Sequence, residues 1–101
     1  MTCQTQRTGL EQAMMVAQRA LLAARTIHWL HCREVEVQLQ GSHDEISGKP
    51  YVLIQYAKSY CIKFKEEFGA EIVQRMRVQN REFEMWQFDV RGCLVRWLQE
   101  V

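Results

Sequence analysis

One proline in 101 residues, Pro50, and five glycines leave the chain few places to break. Regular structure should therefore cover most of it. Charge of one sign is also missing. The formal net charge is +1, which excludes a polybasic arm or an acidic tail. Arg75, Arg77 and Arg81 form the most basic cluster and read as a solvated face, so no nucleic-acid partner is expected. No run approaches the roughly 18 apolar residues that cross a bilayer. The apolar stretch AMMVAQRALLAA is interrupted by Gln18 and Arg19, so neither a signal core nor a membrane partner is expected. Paired CxxC cysteines are absent as well. Cys3, Cys32, Cys61 and Cys93 stand far apart, which predicts four reduced thiols and a cytoplasmic location. No glycine-rich phosphate loop, GxSxG elbow or helical HExxH occurs, and no cofactor is implied.

What the chain does have is core-forming material. Hydrophobic residues make up 48% of it, enough for a single domain over residues 1–101 with one core. Thr8 to Glu11 fits a capping box. From there Leu10, Met14, Ala17, Leu21, Ala24, His28 and His31 recur at spacings of four and three, which predicts a helix from about Gly9 to His31 with this stripe buried. Met15, Leu22 and Trp29 stand seven apart in a second column among Glu11, Gln18 and Arg25. A helix with one buried face does not need apolar residues there. The column is therefore read as the interface of a homodimer, with Trp29 near that interface.

After the helix the period changes to two. Val35, Val37 and Leu39 alternate with Glu34, Glu36, Gln38 and Gln40, a half-buried strand. Residues 41–50 are loop-rich, and 51–57 read as a second, antiparallel strand. Cys61, Phe64, Phe68, Ile72 and Met76 fit a helical stripe running to Val78, weakened at Gly69. The last segment reads as a hairpin turning between Asp89 and Gly92, with Phe88 facing Cys93, Trp86 facing Val95 and Phe83 facing Leu98. The order α-β-β-α-β-β predicts an α+β domain: an antiparallel sheet of about four strands with two helices on one face. An all-α bundle is the alternative, because the second half also tolerates a helical period.

The densest chemical cluster is His28, His31 and Cys32. As a metal site it would need a further ligand from His43, Cys61 or Cys93, and its spacing matches no zinc motif, so no metal is expected. As a nucleophile, Cys32 would sit at a helix C-terminus, where the helix dipole disfavours a thiolate. His28 or His31 as a general base, partnered by Asp44 or Glu45, is the more open catalytic reading. Tyr51, Tyr56, Trp86 and Trp97 are candidates to line a ligand pocket. Two functions follow. The leading one is a non-catalytic, self-associating module that binds a partner protein or a small ligand. The alternative is a small enzyme with His28 or His31 as base in an aromatic-lined pocket.

Overall fold

Gly69 divides the second half of the chain. It adopts φ 65°, and its amide donates to the Phe64 carbonyl, closing a helix that begins at Lys58. A glycine accepts this left-handed conformation without the Cβ clash that other residues meet. The expected helix over 58–78 therefore stops at Phe68, and the chain beyond it becomes a strand. The computed structural model describes residues 2–101, with side chains from residue 9 onward. Its elements are α1 (Thr2–His31), β1 (Val37–His43), β2 (Pro50–Ile54), α2 (Lys58–Phe68), β3 (Glu71–Val78), β4 (Arg81–Val90) and β5 (Cys93–Glu100). The Thr8–Glu11 box thus falls within α1 and does not start it; the side chain of Thr8 lies outside the described residues.

The five strands form one sheet in the order β1-β2-β5-β4-β3. All neighbours are antiparallel except β2 and β5, so the sheet is mixed. This is the α+β class read from the sequence, with one strand more than expected, and it removes the all-α alternative. Two tight turns join the last three strands. Gln79 and Asn80 have φ 51° and 63°, and Arg91 and Gly92 have φ 50° and 93°. Positive φ at both central residues gives the turn whose twist matches the flanking strands. The final hairpin consequently pairs Val90 with Cys93, Phe88 with Val95 and Trp86 with Trp97. This is a shift of two residues from the expected register. An even shift leaves every side chain on its expected face.

One face of the sheet carries the core. Val52, Ile54, Phe88, Cys93, Val95 and Trp97 pack there with Cys61 and Phe64 of α2 and Leu30 of α1. Trp97 stacks on Trp86 at 6.0 Å, and its indole N–H donates to Gln99 Oε1. Lys65 of α2 lies 3.9 Å over the Trp86 ring. The opposite face is partly covered by the 44–49 loop. Arg96 reaches from that face to Asp44, while its guanidinium stacks 4.4 Å from Tyr51.

Helix α1 packs by a different side from the one its spacing suggests. The inward residues are Ala23, Thr26 and Leu30, with Arg19, Leu22, Ile27 and Trp29 half-buried beside them. Leu10, Met14 and Leu21, expected to be buried, are 63%, 62% and 52% exposed. Trp29 meets Phe64 at 5.9 Å and Phe68 at 5.4 Å, inside its own chain. The faces are therefore exchanged. Trp29 and Leu22 hold the helix to the fold, and the premise that their column is left over for a partner fails. Met15 alone of the three remains exposed.

This exchange has a measurable consequence. Leu30→Ala empties a fully buried site and should cost about 2–5 kcal/mol. Leu21→Ala, in dilute solution, should change stability by no more than about 0.5 kcal/mol. Urea unfolding followed by circular dichroism measures both, and a comparable loss for Leu21→Ala would contradict the packing described.

Candidate functional site: the outward face of the long helix

The end of α1 shows what the His28–Cys32 cluster is for. Glu34 adopts φ 59°. Its amide donates to the His31 carbonyl, and the Val35 amide donates to the Leu30 carbonyl. These two bonds make a Schellman cap, with the usual apolar contact supplied by buried Leu30 and Val35. The cap explains why Val35 is buried before β1 begins: it belongs to the helix end and not to the alternating strand. Strand β1 itself is irregular, with register breaks on either side of Leu39, which is left exposed.

His28, His31 and Cys32 occupy the exposed side of this last turn. Cys32 Sγ lies 3.7 Å from His28 Nε2. Among the described residues no group of three or more His, Cys, Asp or Glu side chains converges as metal ligands would. The clefts flanking this end of α1 are lined by Arg33, Tyr60 and Phe64 on one side and by Trp29, Phe68 and Arg91 on the other, and neither histidine enters them. Of the two expected carboxylate partners, Glu45 is exposed and Asp44 is engaged elsewhere. Asp44 accepts from the Ser47 amide at 2.8 Å and from Arg96 at 2.9 Å. The Ser47 amide first, and then Arg96, hold its carboxyl down to about 2. Asp44 is therefore not free to pair with either histidine.

The four candidate pocket aromatics do not share one face of the sheet either. Trp97 is fully buried and Trp86 is stacked on it. Tyr56 packs against the same core. Tyr51 pairs with Leu94 and lies under Arg96 on the opposite face of the sheet.

What remains is the surface of α1 that the fold does not use. From residue 9 to residue 18 every side chain is exposed. Beyond that point the helix is half covered, and the stripe of Leu10, Met14, Ala17, Leu21, Ala24, His28 and His31 stays outside along its whole length. At about 100° per residue, this stripe lies opposite the line of Ala23, Thr26 and Leu30. Spacings of four and three repeated without interruption make the a/d seam of a helix-pairing surface. The sequence displays the stripe plainly, but its direction depends on tertiary packing.

Comparison of the chain with protein-family models, with curated proteins and with solved structures gives no match in any of the three. No described helix is long and apolar enough to cross a membrane. Function is therefore read from the molecule's own surfaces.

Two measurements test the site as described. Cys61 and Cys93 are buried, and burial pushes both thiols up from the ordinary range, whereas Cys32 is exposed. A brief pulse of N-ethylmaleimide on the folded protein, followed by peptide mapping, should label Cys32 and leave Cys61 and Cys93 unmodified until urea is added. The second measurement concerns Asp44. Its folded pKa lies below the unfolded value of 3.8, so its contribution is complete above that value and is lost as pH falls towards about 2. Over this window wild type should lose stability more steeply than Asp44→Asn. Parallel slopes would mean that neither the Ser47 amide nor Arg96 holds the Asp44 carboxylate in solution.

Proposed function

We propose that this chain is a non-catalytic, self-associating module whose long helix pairs with the same helix of a second copy. The observation that carries this reading is the uninterrupted four-and-three stripe on the side of α1 turned away from the fold. The homodimer expected from sequence is kept, but its surface moves from Met15, Leu22 and Trp29 to Leu10, Met14, Ala17, Leu21 and Ala24.

The sizes along the stripe favour an antiparallel, twofold arrangement. With Leu21 level with the partner's Ala17, Met14 falls opposite the partner's Ala24 and Leu10 opposite the partner's His28. Each large side chain then meets a small one or an imidazole ring, and twofold symmetry makes every contact twice. Ala13 and Ala20 flank the seam and permit close approach. Leu10, Met14 and Leu21 are each a little over half exposed, so covering one contributes about 1–2 kcal/mol. The six side chains of a dimer together supply about 6–12 kcal/mol, against an association cost of about 4–15 kcal/mol. The gain and the cost are of the same size, so the pairing is reversible and depends on concentration.

Analytical ultracentrifugation over about 1–100 µM, the span in which a reversible dimer of moderate strength forms and dissociates, is the test. Wild type should shift from monomer to dimer across it. Met14→Glu with Leu21→Glu should stay monomeric while keeping the wild-type circular dichroism spectrum. A wild type that stays monomeric throughout, or a double variant that still dimerises, overturns the reading.

A further inference from the structure

A second feature has nothing to do with the pairing of α1. Between α1, the end of α2 and the β4–β5 turn lies a cleft of about 480 Å³. That volume falls within the range of small-molecule sites. Its lining divides into two kinds. Leu22, Trp29, Phe68 and Val90 form an apolar floor, with Phe68 40% exposed although it packs edge-on against Trp29. Arg25, Arg33 and Arg91 stand around it.

Among the described residues none of these three guanidiniums forms an ion pair with a carboxylate. Arg33 stacks 3.9 Å from the Trp29 ring and donates to its carbonyl. The one acid in the lining, Asp89, is matched by Lys49 at 2.7 Å and accepts from the Gly92 amide. The cleft therefore carries an unbalanced positive charge beside an apolar surface. Arg91 also holds φ 50° at the first central position of its turn, where glycine or asparagine is the usual occupant. That backbone conformation is spent on a residue whose side chain lines the cleft.

We infer that this cleft binds an amphiphilic anion, a molecule with one carboxylate on an extended apolar body. The apolar body lies on Trp29 and Phe68, and the carboxylate meets the arginine fork, whose paired N–H donors match its two oxygens. A neutral molecule of the same length would gain only the floor. A short acid would gain only the charge, which solvent screens.

The experiment is a titration of the ¹⁵N-labelled full chain with dodecanoate, followed by two-dimensional NMR, with dodecanol and acetate as controls. Dodecanoate should produce saturable shifts in the Trp29 indole N–H and in the Phe68, Val90 and Arg91 amides. Dodecanol should bind at least tenfold more weakly, and acetate should leave these signals in place. Arg25→Gln with Arg91→Gln should weaken dodecanoate at least tenfold while the spectrum stays dispersed. Met14→Glu with Leu21→Glu should bind as wild type does, which separates this site from the pairing face. No shift up to millimolar dodecanoate overturns the inference. So do equal affinity for dodecanol, or shifts centred on Leu10, Met14 and Leu21.

Discussion

Both helices are held to the sheet through one aromatic junction. Phe64 of α2 stands 4.7 Å from Phe88 of β4 and 5.9 Å from Trp29 of α1. Aromatic pairs at such separations add to the burial of their area, and each ring here serves two elements at once. Phe68 of α2 supports the same junction, 5.4 Å from Trp29 and 5.3 Å from Phe88, so both helices meet β4 through a shared pair of phenylalanines. The junction also decides the rotation of α1. With Trp29 turned inward, Leu30 and Thr26 follow it into the core, and the residues on the far side of the cylinder must face out. Arg19, about three turns before Leu30, fixes the same rotation through its bond to the Gly48 carbonyl at 2.9 Å. The outward stripe is therefore a consequence of where one tryptophan docks.

That dependence explains which parts of the molecule the sequence discloses. Helix α1 is legible because its apolar period persists over many turns. Which of two apolar lines faces home is not, because periodicity reports a face and not its neighbour. The true packing line, Ala23, Thr26 and Leu30, is short and half small, and it looks weaker than the longer stripe beside it. The hairpin of β4 and β5 is visible from Asp89 and Gly92, but its register rests on a two-residue turn that puts Arg91 at positive φ, where sequence habit does not place arginine. Strand β3 is hidden because Ile72 and Met76 continue the helical spacing of Cys61, Phe64 and Phe68 across Gly69. Only the left-handed backbone at Gly69 breaks that continuity. The Asn80 turn was the available signal, because the register break between Ile72 and Gln74 interrupts any clean alternation.

The His28–Cys32 cluster shows the converse. It is chemically conspicuous in sequence, yet its setting is that of a helix end. The Schellman cap requires the chain to leave at Glu34 and return Val35 to Leu30, and this path turns both histidines outward. A histidine near a helix C-terminus is favourable for the dipole in its charged form. That role needs no carboxylate, no cavity and no third ligand.

The length of α1 carries the last step. Among the described side chains the rest of the fold covers this helix only from about Arg19 onward, yet the helix extends over 30 residues, about 45 Å. An overhanging segment gains nothing from tertiary packing and must persist on local preference. From Leu10 to Arg25 it contains no glycine or proline and is dominated by Ala, Leu, Met, Gln, Glu and Arg, the strongest helix formers. Local preference alone would be met as well by glutamate and lysine at every outward position, and those residues would keep the overhang in water. The chain instead places Leu10, Met14 and Leu21 there, separated by alanines that interrupt nothing and offer no charge. A surface built in that way is stable in isolation as a helix but not as an interface with solvent. The proposed second α1, laid antiparallel along it, would satisfy both conditions with the residues already present.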